Sequence, residues 1–525
     1  MSLPESTRWD AVVVGSGFGG AMVAHRLIEA GARVLMIERG DWVERGDAAW
    51  RPEASLELTP HYAKDIPYRC ERGAYDKTIG GYACVGGPSV FYGCVSFRFR
   101  EQDFVGDPDV VADSGAAWPY RYDELEPHYA EAERLLGVSG DDAGDPTAPP
   151  RSGPYPQPPA PLAKISERIS DAAGGLGLHP FRLPLAINYA EQGGRQACIG
   201  CRTCDTFACA IEAKNDVATR MIKPLMARGM ALWTRTVATR LETDDAGRRI
   251  TALHVVRRDG GEAVRVEADV FVVAAGALGT PHLLLASKLD EASPARAAVG
   301  RYLMRHDNAM VFGFYWSKPD QENRFHKQIA INDWYFGDPD GKDVAGLTKL
   351  GGVQQVMTPP KDLVKAHLPR GTKAMLGAFT QQLTGLLCIA EDQPRAANGV
   401  GVDWDVKDAY GLPQLVIDTG YSDRDARALR GLTRRAKRVL RRSGAWFFHT
   451  HAIKTFSHAV GTVRMGVDPA TSPLDDGCRF RGVDNLWVTD GAALPMSAGV
   501  NPSLTIAANA LRAADGIVAA QRGGA

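Results

Sequence analysis

The 525-residue sequence has no excess of charge of either sign, because 61 lysines and arginines stand against 62 aspartates and glutamates. A net charge of −1 creates no global field toward nucleic acid or an anionic membrane, so neither partner is expected. No apolar run reaches the roughly 18–20 residues that a membrane-spanning helix needs, so no membrane span is expected. The first residues, MSLPESTRWD, lack the features of a signal peptide. Nine cysteines without an export signal therefore predict mostly reduced thiols in the cytoplasm.

The segment AVVVGSGFGGAMVAHRLIEAGARVLMIERG near the N-terminus carries a dinucleotide-binding pattern. A short apolar run ends at Gly15, which forms G-x-G-x-x-G with Gly17 and Gly20. The first glycine permits a tight turn, the second lets a pyrophosphate approach the backbone, and the third lets the helix pack on the strand. A second apolar strand ends at Glu38, whose carboxylate can accept hydrogen bonds from an adenosine ribose. The pattern predicts dinucleotide binding but does not separate FAD from NAD.

Four further segments decide between the two cofactors. Their identity, order and spacing resemble the glucose–methanol–choline (GMC) oxidoreductase family, which implies FAD. The resemblance is specific for the flavin domain and weak between residues 301 and 450. The four segments are VGGPSVFYGCVSFRFR (Val85–Arg100), FVVAAGALGTPHLLLAS (Phe271–Ser287), SHAVGTVRMG (Ser457–Gly466) and Asn485–Ala510.

The resemblance implies a role for particular positions. Some relatives tether FAD through a histidine in the glycine-rich loop, and the corresponding stretch SVFY contains none, which implies non-covalent FAD. The implied residues are Gly15, Gly17, Gly20 and Glu38 for the ADP part of FAD, Gly86, Gly87 and Ser89 along the flavin, Ala275 and Gly276 on the adenosine side, Asp490 and Gly491 near the ribityl–pyrophosphate, and His458 and Asn501 as the catalytic pair.

The catalytic pair suits the oxidation of an alcohol. The flavin N5 accepts the carbinol hydride, and the protein must remove the hydroxyl proton. An imidazole titrates near neutrality, so His458 is the expected general base. Asn501 can hydrogen-bond the same oxygen without competing for its proton. His306, by contrast, is interpreted as a structural junction, and His449 and His451 as strand positions at the surface or in the core.

Four cysteines lie close together in the sequence with spacing C-x2-C-x2-C-x4-C, near the bacterial ferredoxin pattern but one residue longer before the last cysteine. Three interpretations are open: an iron–sulfur cluster, a structural zinc site, or metal-free thiols, with or without a disulfide. The metal-free interpretation is favoured, and Cys94 is expected to be a small packing residue. The four cysteines are Cys198, Cys201, Cys204 and Cys209.

The expected fold is α/β (α+β overall), with a Rossmann-like FAD-binding domain interrupted by a substrate domain. A mixed or antiparallel sheet covered by helices should form the substrate domain, because strand-like patterns recur there. The expected parts are 1–140 (FAD-binding, with a flavin-wrapping loop at 80–100), 141–194 (a linker or excursion), 195–300 (FAD-binding, with the cysteines), 301–454 (substrate-binding) and 455–525 (FAD-binding, with the catalytic pair). The strands expected in the second sheet are Met310–Trp316, Ala330–Phe336, Leu376–Gln382, Leu386–Ala390 and Leu415–Thr419.

The leading hypothesis is an FAD-dependent enzyme that oxidises a C–OH group of a sugar, glycoside or other polyol and passes the electrons to oxygen or another acceptor. A sterol-like or other hydrophobic alcohol is the nearest alternative substrate. A different class of protein, an electron-transfer flavoprotein or a flavoenzyme with lyase or photochemical activity, is the second alternative. The presence of both His458 and Asn501 argues against this second alternative.

Overall fold

The computed structural model describes residues 8–51, 54, 67–72, 78–141, 143–191, 194–261, 263–358 and 378–523. Within these residues, no helix has both the length and the apolar character required to cross a membrane. The strands are β1 (Arg8–Val14), β2 (Val34–Ile37), β3 (Pro67–Arg72), β4 (Thr78–Gly80), β5 (Pro180–Arg182), β6 (Ala231–Trp233), β7 (Thr236–Thr243), β8 (Ile250–Arg257), β9 (Val264–Val273), β10 (Asp307–Phe314), β11 (Ile329–Ile331), β12 (Gly351–Val356), β13 (Leu383–Ala390), β14 (Gly399–Lys407), β15 (Pro413–Asp418), β16 (Phe447–Ala452) and β17 (Leu486–Val488).

Within the described part of the chain, six helices have more than eight residues, and the shorter ones are single turns or little more. The long helices are α1 (Phe18–Glu29), α2 (Tyr122–Leu136), α3 (Lys164–Gly174), α4 (Gly276–Ala286), α5 (Asp423–Arg442) and α6 (Ser503–Gly523). The short α-helical segments are Asp47–Trp50, Pro108–Val111 and Lys223–Ala227, the last preceded by a π-helical turn at Ala218–Ile222.

The largest sheet is the dinucleotide-binding sheet, with the strand order β6-β2-β1-β9-β8-β7 and β17 also paired to β9. Its centre is parallel: β1 lies between β2 and β9, and β6 and β17 extend the parallel part. The C-terminal half of β1, Ala11–Val14, is entirely buried, as expected for a parallel strand covered on both faces. Strands β7 and β8 add an antiparallel edge.

One predicted element of this sheet divides into two. The alternating pattern predicts a single strand over Leu232–Leu241, but β6 and β7 are separate strands at opposite edges of the sheet. The reason is Arg235, whose φ of +52° turns the chain between them. The sequence pattern also predicts a partner strand over Ile250–Val256 and a strand returning to the central sheet over Arg265–Ala274. Both agree with β8 and β9 to within a residue at each end.

The second sheet is fully antiparallel, with the order β16-β10-β13-β12-β11-β5. Helices α3 and α5 cover one face, and a separate apolar core fills the space between them and the strands. Helix α5 is strongly amphipathic: Leu432, Ala436 and Leu440 are buried, and Arg434 on the outer side pairs with Asp343. The predicted antiparallel sheet covered by helices is therefore confirmed.

Three of the strands predicted for this sheet need correction. The predicted strand Ala330–Phe336 is shortened to β11, because the chain turns after it, with the Tyr335 N–H donating to the Asn332 carbonyl. The described part of Leu376–Gln382 is a 3-10 helix, and its first two residues lie outside the described residues. The predicted strand Leu415–Thr419 is found as β15, but β15 belongs to a third sheet of order β14-β15-β3-β4. Strand β15 pairs with β3 in parallel, a non-local pairing that no local pattern reveals.

Helix α4 begins earlier than the sequence indicates. The segment Phe271–Ser287 predicts a strand, a glycine turn and a helix that begins near Thr280. This start is wrong, because the helix already begins at Gly276 and contains Pro281. Proline has no N–H for the carbonyl four residues before it, so the Ala277 carbonyl loses its helical donor. The Thr462 hydroxyl donates to that carbonyl at 2.7 Å and satisfies it.

The segment 141–194 has two halves. Its described residues up to 161 contain no helix or strand. The later residues contain helix α3 and strand β5, which pairs with β11 at the edge of the second sheet. This second half therefore packs as part of the antiparallel layer.

Candidate active site

The first glycine-rich turn lies where three backbone segments meet. Gly15 has φ +101°, and a Cβ there would lie 2.2 Å from the carbonyl oxygen of Ala274. A Cβ at Gly20 would lie 2.1 Å from the Gly15 carbonyl oxygen. Both positions therefore require glycine for the chain to fold, because the left-handed backbone or the close packing excludes a side chain.

Gly17 and Gly87 have a different surrounding. A Cβ at Gly17 would meet no atom within 4 Å, so the space beside this backbone is open. Gly87 faces the same space, since a Cβ there would lie 3.6 Å from the Gly17 Cα. Gly17 also directly precedes helix α1, whose N-terminal N–H groups favour an anion. The two predicted residues thus form a cradle of the kind that a pyrophosphate occupies.

Glu38 and the glycine-rich loop are joined through Ser16. One carboxylate oxygen of Glu38 accepts from the Ser16 hydroxyl at 2.6 Å, and the other from the Gly40 N–H at 2.8 Å. The same Ser16 hydroxyl oxygen accepts from the Gly86 N–H at 2.9 Å. Burial raises the pKa of Glu38, and the hydrogen bonds from Ser16 and Gly40 oppose that rise. The oxygen bonded to Ser16 also accepts from the Ser16 N–H at 3.2 Å. The oxygen bonded to Gly40 keeps a second lone pair with which a ribose hydroxyl could be bound.

Ser89 fixes the glycine-rich loop against the segment that follows the cysteines. Its hydroxyl donates to the Gly86 carbonyl at 2.7 Å and accepts from the Val217 N–H at 3.0 Å. Gly86 has φ +89° and packs against Ala218, so a side chain there would collide with that residue. The contribution of Ser89 in this structure is to hold the loop in shape.

Asp490 connects the second signature with the C-terminal segment. Its carboxylate accepts from the Gly276 N–H at 2.7 Å and from the Ala492 N–H at 2.8 Å. Ala275 lies directly before Gly276, and the Gly491 carbonyl accepts from the Gly461 N–H at 3.0 Å. Burial raises the pKa of Asp490, and the hydrogen bonds from the Thr280 hydroxyl and from the Ala492 and Gly276 N–H groups act in the opposite direction. The predicted FAD-binding positions therefore come together around one backbone junction, and their glycine cradle and acidic groups fit FAD.

His458 and Asn501 lie side by side. The Asn501 amide Nδ2 is 3.2 Å from Nε2 of His458, although 43 positions separate the residues in the chain. Asn501 lies two residues before helix α6, and His458 lies in the turn that the motif SHAVG forms. Burial lowers the pKa of His458 well below its ordinary value, and the neighbouring His306 and Lys327 lower it further. The imidazole is therefore neutral near pH 7, the state in which it can accept a proton.

Three residues near this pair were not assigned to the site from the sequence. Gln354 donates from Nε2 to the Asn501 Oδ1 at 2.7 Å. His306, interpreted as a structural junction, places its Nδ1 3.0 Å from Nδ1 of His458. Lys327 forms an ion pair with Asp205 at 2.6 Å, and both lie against Gly93. No motif marks these residues, because each reaches the site through a strand pairing or turn remote from His458. His449 and His451 are exposed on the edge strand β16.

The four cysteines line one small cavity, but their sulfur atoms are not close enough together to bind one metal ion. Among the described residues, only His25, Glu29 and Glu131 bring three potential ligand atoms within 4.8 Å of one another. Tetrahedral zinc with thiolates at about 2.3 Å needs sulfurs roughly 3.8 Å apart, so the zinc interpretation does not fit. The cavity walls also include Ile187 and Phe325.

Cys94 is buried in the glycine-rich loop and exchanges a hydrogen bond with the Cys204 thiol. This hydrogen bond and the nearby Lys214 ammonium lower the pKa of Cys204 to about 7. Burial and the same contact raise the pKa of Cys94 well above its ordinary value. The expectation of Cys94 as a small packing residue agrees with its burial.

The fold and the site together define a flavoprotein oxidoreductase. Family models of GMC oxidoreductases match residues 167–308 and 394–510. The chain is 33% identical to 6'''-hydroxyparomomycin C oxidase of Streptomyces lividus, over 96% of this chain and 90% of the relative. It is 32% identical to paromamine 6'-oxidase of Streptomyces fradiae, over 97% and 91%. A solved formate oxidase structure superposes with a TM-score of 0.70 at 16% identity, covering 99% of this chain and 100% of that one, which shows the shared fold.

The chain belongs to the GMC oxidoreductase family. It is an FAD-dependent oxidoreductase that acts on CH–OH donors. These relatives give no support to the hypothesis of an iron–sulfur cluster at the four cysteines.

Proposed function

We propose that this enzyme oxidises a C–OH group of a sugar, glycoside or other polyol, with His458 as general base and Asn501 as the orienting donor. The observation that carries the proposal is the 3.2 Å contact between Asn501 Nδ2 and the His458 Nε2. Two groups at this distance can address one hydroxyl oxygen, one by accepting its proton and the other by donating to the oxygen. The names of the two Streptomyces relatives, both aminoglycoside oxidases, support a sugar-like substrate.

The protein's part of the reaction is the handling of the proton. His458 Nε2 accepts the hydroxyl proton, because its neutral imidazole has an available lone pair. Asn501 Nδ2 donates to the substrate oxygen as negative charge develops on it, and carries no base that would compete. Bound FAD supplies the acceptor for the carbinol hydride. Gln354, which donates to the Asn501 Oδ1, is also an amide and does not compete for the proton.

Polar groups around the pair favour a polar substrate over a sterol. Lys327 is close enough to lower the pKa of His458, and its ion pair with Asp205 lies on the same side of the glycine-rich loop, against Gly93. Hydroxyl groups of a sugar can replace water on such charged groups, whereas the apolar body of a sterol would strip them of water without compensation. These contacts support the sugar or polyol assignment over the hydrophobic alternative.

We infer that FAD is bound non-covalently, because the loop SVFY offers no histidine for a covalent bond to the flavin. The four cysteines act as metal-free thiols that pack the joint between the glycine-rich loop and the residues after them. Lys214 supports this structural role, since its ammonium donates to the carbonyls of Tyr92, Cys204 and Phe207 at 2.7–2.9 Å. Iron and sulfide analysis of the purified enzyme should find neither in stoichiometric amount.

The test is anaerobic mixing of the enzyme with a panel of paromamine, hexoses, linear polyols and a sterol, while the flavin band at about 450 nm is followed. At least one sugar or polyol should bleach the flavin. In a His458→Ala variant, the rate constant of bleaching should fall by a factor of about 100 or more, as expected when a general base is removed. His449→Ala is the matched control, because that histidine is exposed on β16 and should leave the rate unchanged.

Bleaching by the sterol alone would replace the proposal with the hydrophobic-alcohol alternative. Bleaching by no alcohol at all, with full turnover of the His458→Ala variant on some other substrate, would contradict the proposal altogether. Admission of air after reduction identifies the electron acceptor: rapid reoxidation by oxygen would define an oxidase, and slow reoxidation a dehydrogenase.

A further inference from the structure

His306 lies beside the proposed base, on the side of its Nδ1. Its ring lies edge-on to that of His458, with centroids 5.1 Å apart and an interplanar angle of 81°. The residue is almost completely buried, and its φ of +60° is unusual for a residue with a side chain. Such a conformation persists only where the surroundings fix it.

The surroundings of His306 hold its backbone from both sides. Its N–H donates to the Asp392 carboxylate at 3.1 Å, and its carbonyl accepts from the Tyr421 hydroxyl at 2.7 Å. The same Asp392 oxygen accepts from the Ser497 hydroxyl at 2.8 Å. One carboxylate thus fixes both His306 and the turn at Ser497 that its ring contacts.

The hydrogen bonds of the His306 ring determine which nitrogen carries its proton. Nε2 lies 3.0 Å from the Ser497 carbonyl oxygen. A carbonyl can only accept, so Nε2 must carry the hydrogen. Burial lowers the pKa of His306, which keeps the ring neutral with a single N–H. Its Nδ1 therefore presents a lone pair toward His458.

The same reasoning passes to His458. The Nδ1 of His458 lies 3.0 Å from the His306 Nδ1, which offers only a lone pair. The hydrogen of a neutral His458 ring must therefore be on Nδ1 of His458. The lone pair of His458 is then on Nε2, the nitrogen beside Asn501. On the far side, Gln354 donates to the Asn501 Oδ1, which turns the Nδ2 donor of that amide toward His458.

We propose that His306 is a positioning residue: its hydrogen bond to the Ser497 carbonyl selects the tautomer of His458 in which Nε2 is the free base. The inference rests on the proposed function, because the tautomer matters only if His458 Nε2 accepts the substrate proton. In this role His306 acts through His458, which its Nδ1 contacts.

Two isosteric variants separate the two contacts of the His306 ring. In His306→Asn, Oδ1 occupies the place of Nδ1 and still accepts from His458, and asparagine tolerates a left-handed backbone. In His306→Gln, the amide Nε2 occupies the place of the ring Nε2 and still donates to Ser497, but no acceptor faces His458. His306→Leu removes both contacts.

The direct measurement is the 15N spectrum of enzyme labelled at its histidines, with the His458 signals assigned by comparison with a His458→Gln variant. We expect a protonated Nδ1 and an unprotonated Nε2 on His458 in the wild-type enzyme and in His306→Asn. In His306→Gln and His306→Leu, the other tautomer should appear. Protonation of His458 at Nε2 in the wild type would overturn the proposal without any further variant.

The second measurement is the rate constant for flavin reduction in the variants that retain full FAD content. His306→Gln and His306→Leu should lose a factor of about 10 to 100, with the substrate Kd unchanged, because a misplaced proton removes the base but leaves the pocket. His306→Asn should keep a rate within about threefold of the wild type. Equal losses in all three variants would overturn the proposal, since they would mean a packing role. If no alcohol reduces the flavin although the tautomer is as expected, the proposed function fails while the hydrogen-bond chain stands.

Discussion

At the scale of single residues, the glycines of the first turn have two different reasons to be glycine. Gly15 and Gly20 are required by the fold, since a Cβ at either would lie 2.1–2.2 Å from a carbonyl oxygen. Gly17 has an ordinary φ of −73° and open space beside it. A methyl group there would collide with nothing in the protein, so we infer that glycine at this position serves the bound cofactor. The sequence motif groups the three residues. Only the neighbouring backbone separates their roles: the Ala274 carbonyl lies against Gly15, and the Gly15 carbonyl lies against Gly20.

This difference gives a prediction for Gly17→Ala. The dissociation constant for FAD should rise at least about tenfold, equivalent to roughly 1.4 kcal/mol, because the methyl group fills the cradle. The thermal midpoint of the apoprotein should stay within error of the wild type. Titration of the apoprotein with FAD, followed by flavin fluorescence, measures the first quantity, and a thermal melt without FAD the second.

Gly153→Ala is the control for Gly17→Ala. Gly153 also has open space beside it but lies in the loop far from the glycine cradle, so alanine there should change neither quantity. A fall in the apoprotein midpoint of Gly17→Ala with unchanged FAD affinity would contradict the assignment of this glycine to the cofactor.

At the scale of elements, the sequence predicts what is local and misses what depends on distant partners. The buried strands β1 and β9 are short apolar runs that end at glycine turns, and their positions follow from that pattern. The allocation of β15 to a sheet depends on its parallel partner β3, which lies more than 300 residues earlier. The split between β6 and β7 depends on the positive φ of one arginine, a conformation that alternation of apolar residues does not encode.

Helix α4 illustrates how a distant residue changes an element boundary. Pro281 suggests a helix that begins near it, since proline is common in a first turn. The helix extends to Gly276 because the Thr462 hydroxyl satisfies the Ala277 carbonyl that proline leaves without a donor. Thr462 belongs to the SHAVGT motif, so the motif that carries His458 also stabilises helix α4, which follows strand β9 of the dinucleotide-binding sheet.

We predict that Thr462→Val lowers the free energy of unfolding by about 1–3 kcal/mol, the usual cost of leaving a buried carbonyl without a partner. Valine has the shape of threonine, so the effect reports the hydroxyl and not the packing. Thr462→Ser is the control, since it keeps the hydroxyl. The midpoint of urea denaturation of the FAD-loaded enzyme measures the change, and equal midpoints for the valine and serine variants would show that Ala277 needs no partner.

At the scale of the whole molecule, the site is assembled where the two large layers meet. Strand β12 of the antiparallel sheet brings Gln354 to Asn501, and its Gly352 N–H donates to the Gly499 carbonyl at 3.0 Å. His306 directly precedes β10, the strand that pairs with β13 in the antiparallel sheet. The proposed catalytic pair follows from motifs in the flavin domain, and the structure places its two members side by side. Its neighbours His306 and Gln354 come from the sheet for which the sequence resemblance is weak.

The junction of the layers also carries a cluster of buried carboxylates. Asp307, next to His306, faces Asp392 and Asp425, and Arg305 opposes them only in part. Burial and these like charges raise the pKa of Asp307 to about 7, and burial with Asp392 raises that of Asp425 to about 6. Near neutral pH the folded protein therefore binds protons that the unfolded chain has already released, and this cluster works against the folded state.

The sign of the resulting pH dependence follows from that proton difference. Between the ordinary aspartate pKa near 4 and the folded value of about 7, the native state binds more protons at Asp307 than the unfolded state, so its stability contribution falls as the pH rises. Above pH 7 the whole penalty is present, and below pH 4 it is absent.

Asp307→Asn removes the ionisation and keeps the shape of the side chain. We predict that this variant melts at a higher temperature than the wild type at pH 8 and shows no such gain at pH 4.5. Thermal melts of both proteins across this range measure the difference, and Asp405→Asn, a change at an exposed carboxylate, should show no pH-dependent gain. A gain for Asp307→Asn that is equal at both pH values would show that the carboxylate is not protonated in the folded enzyme.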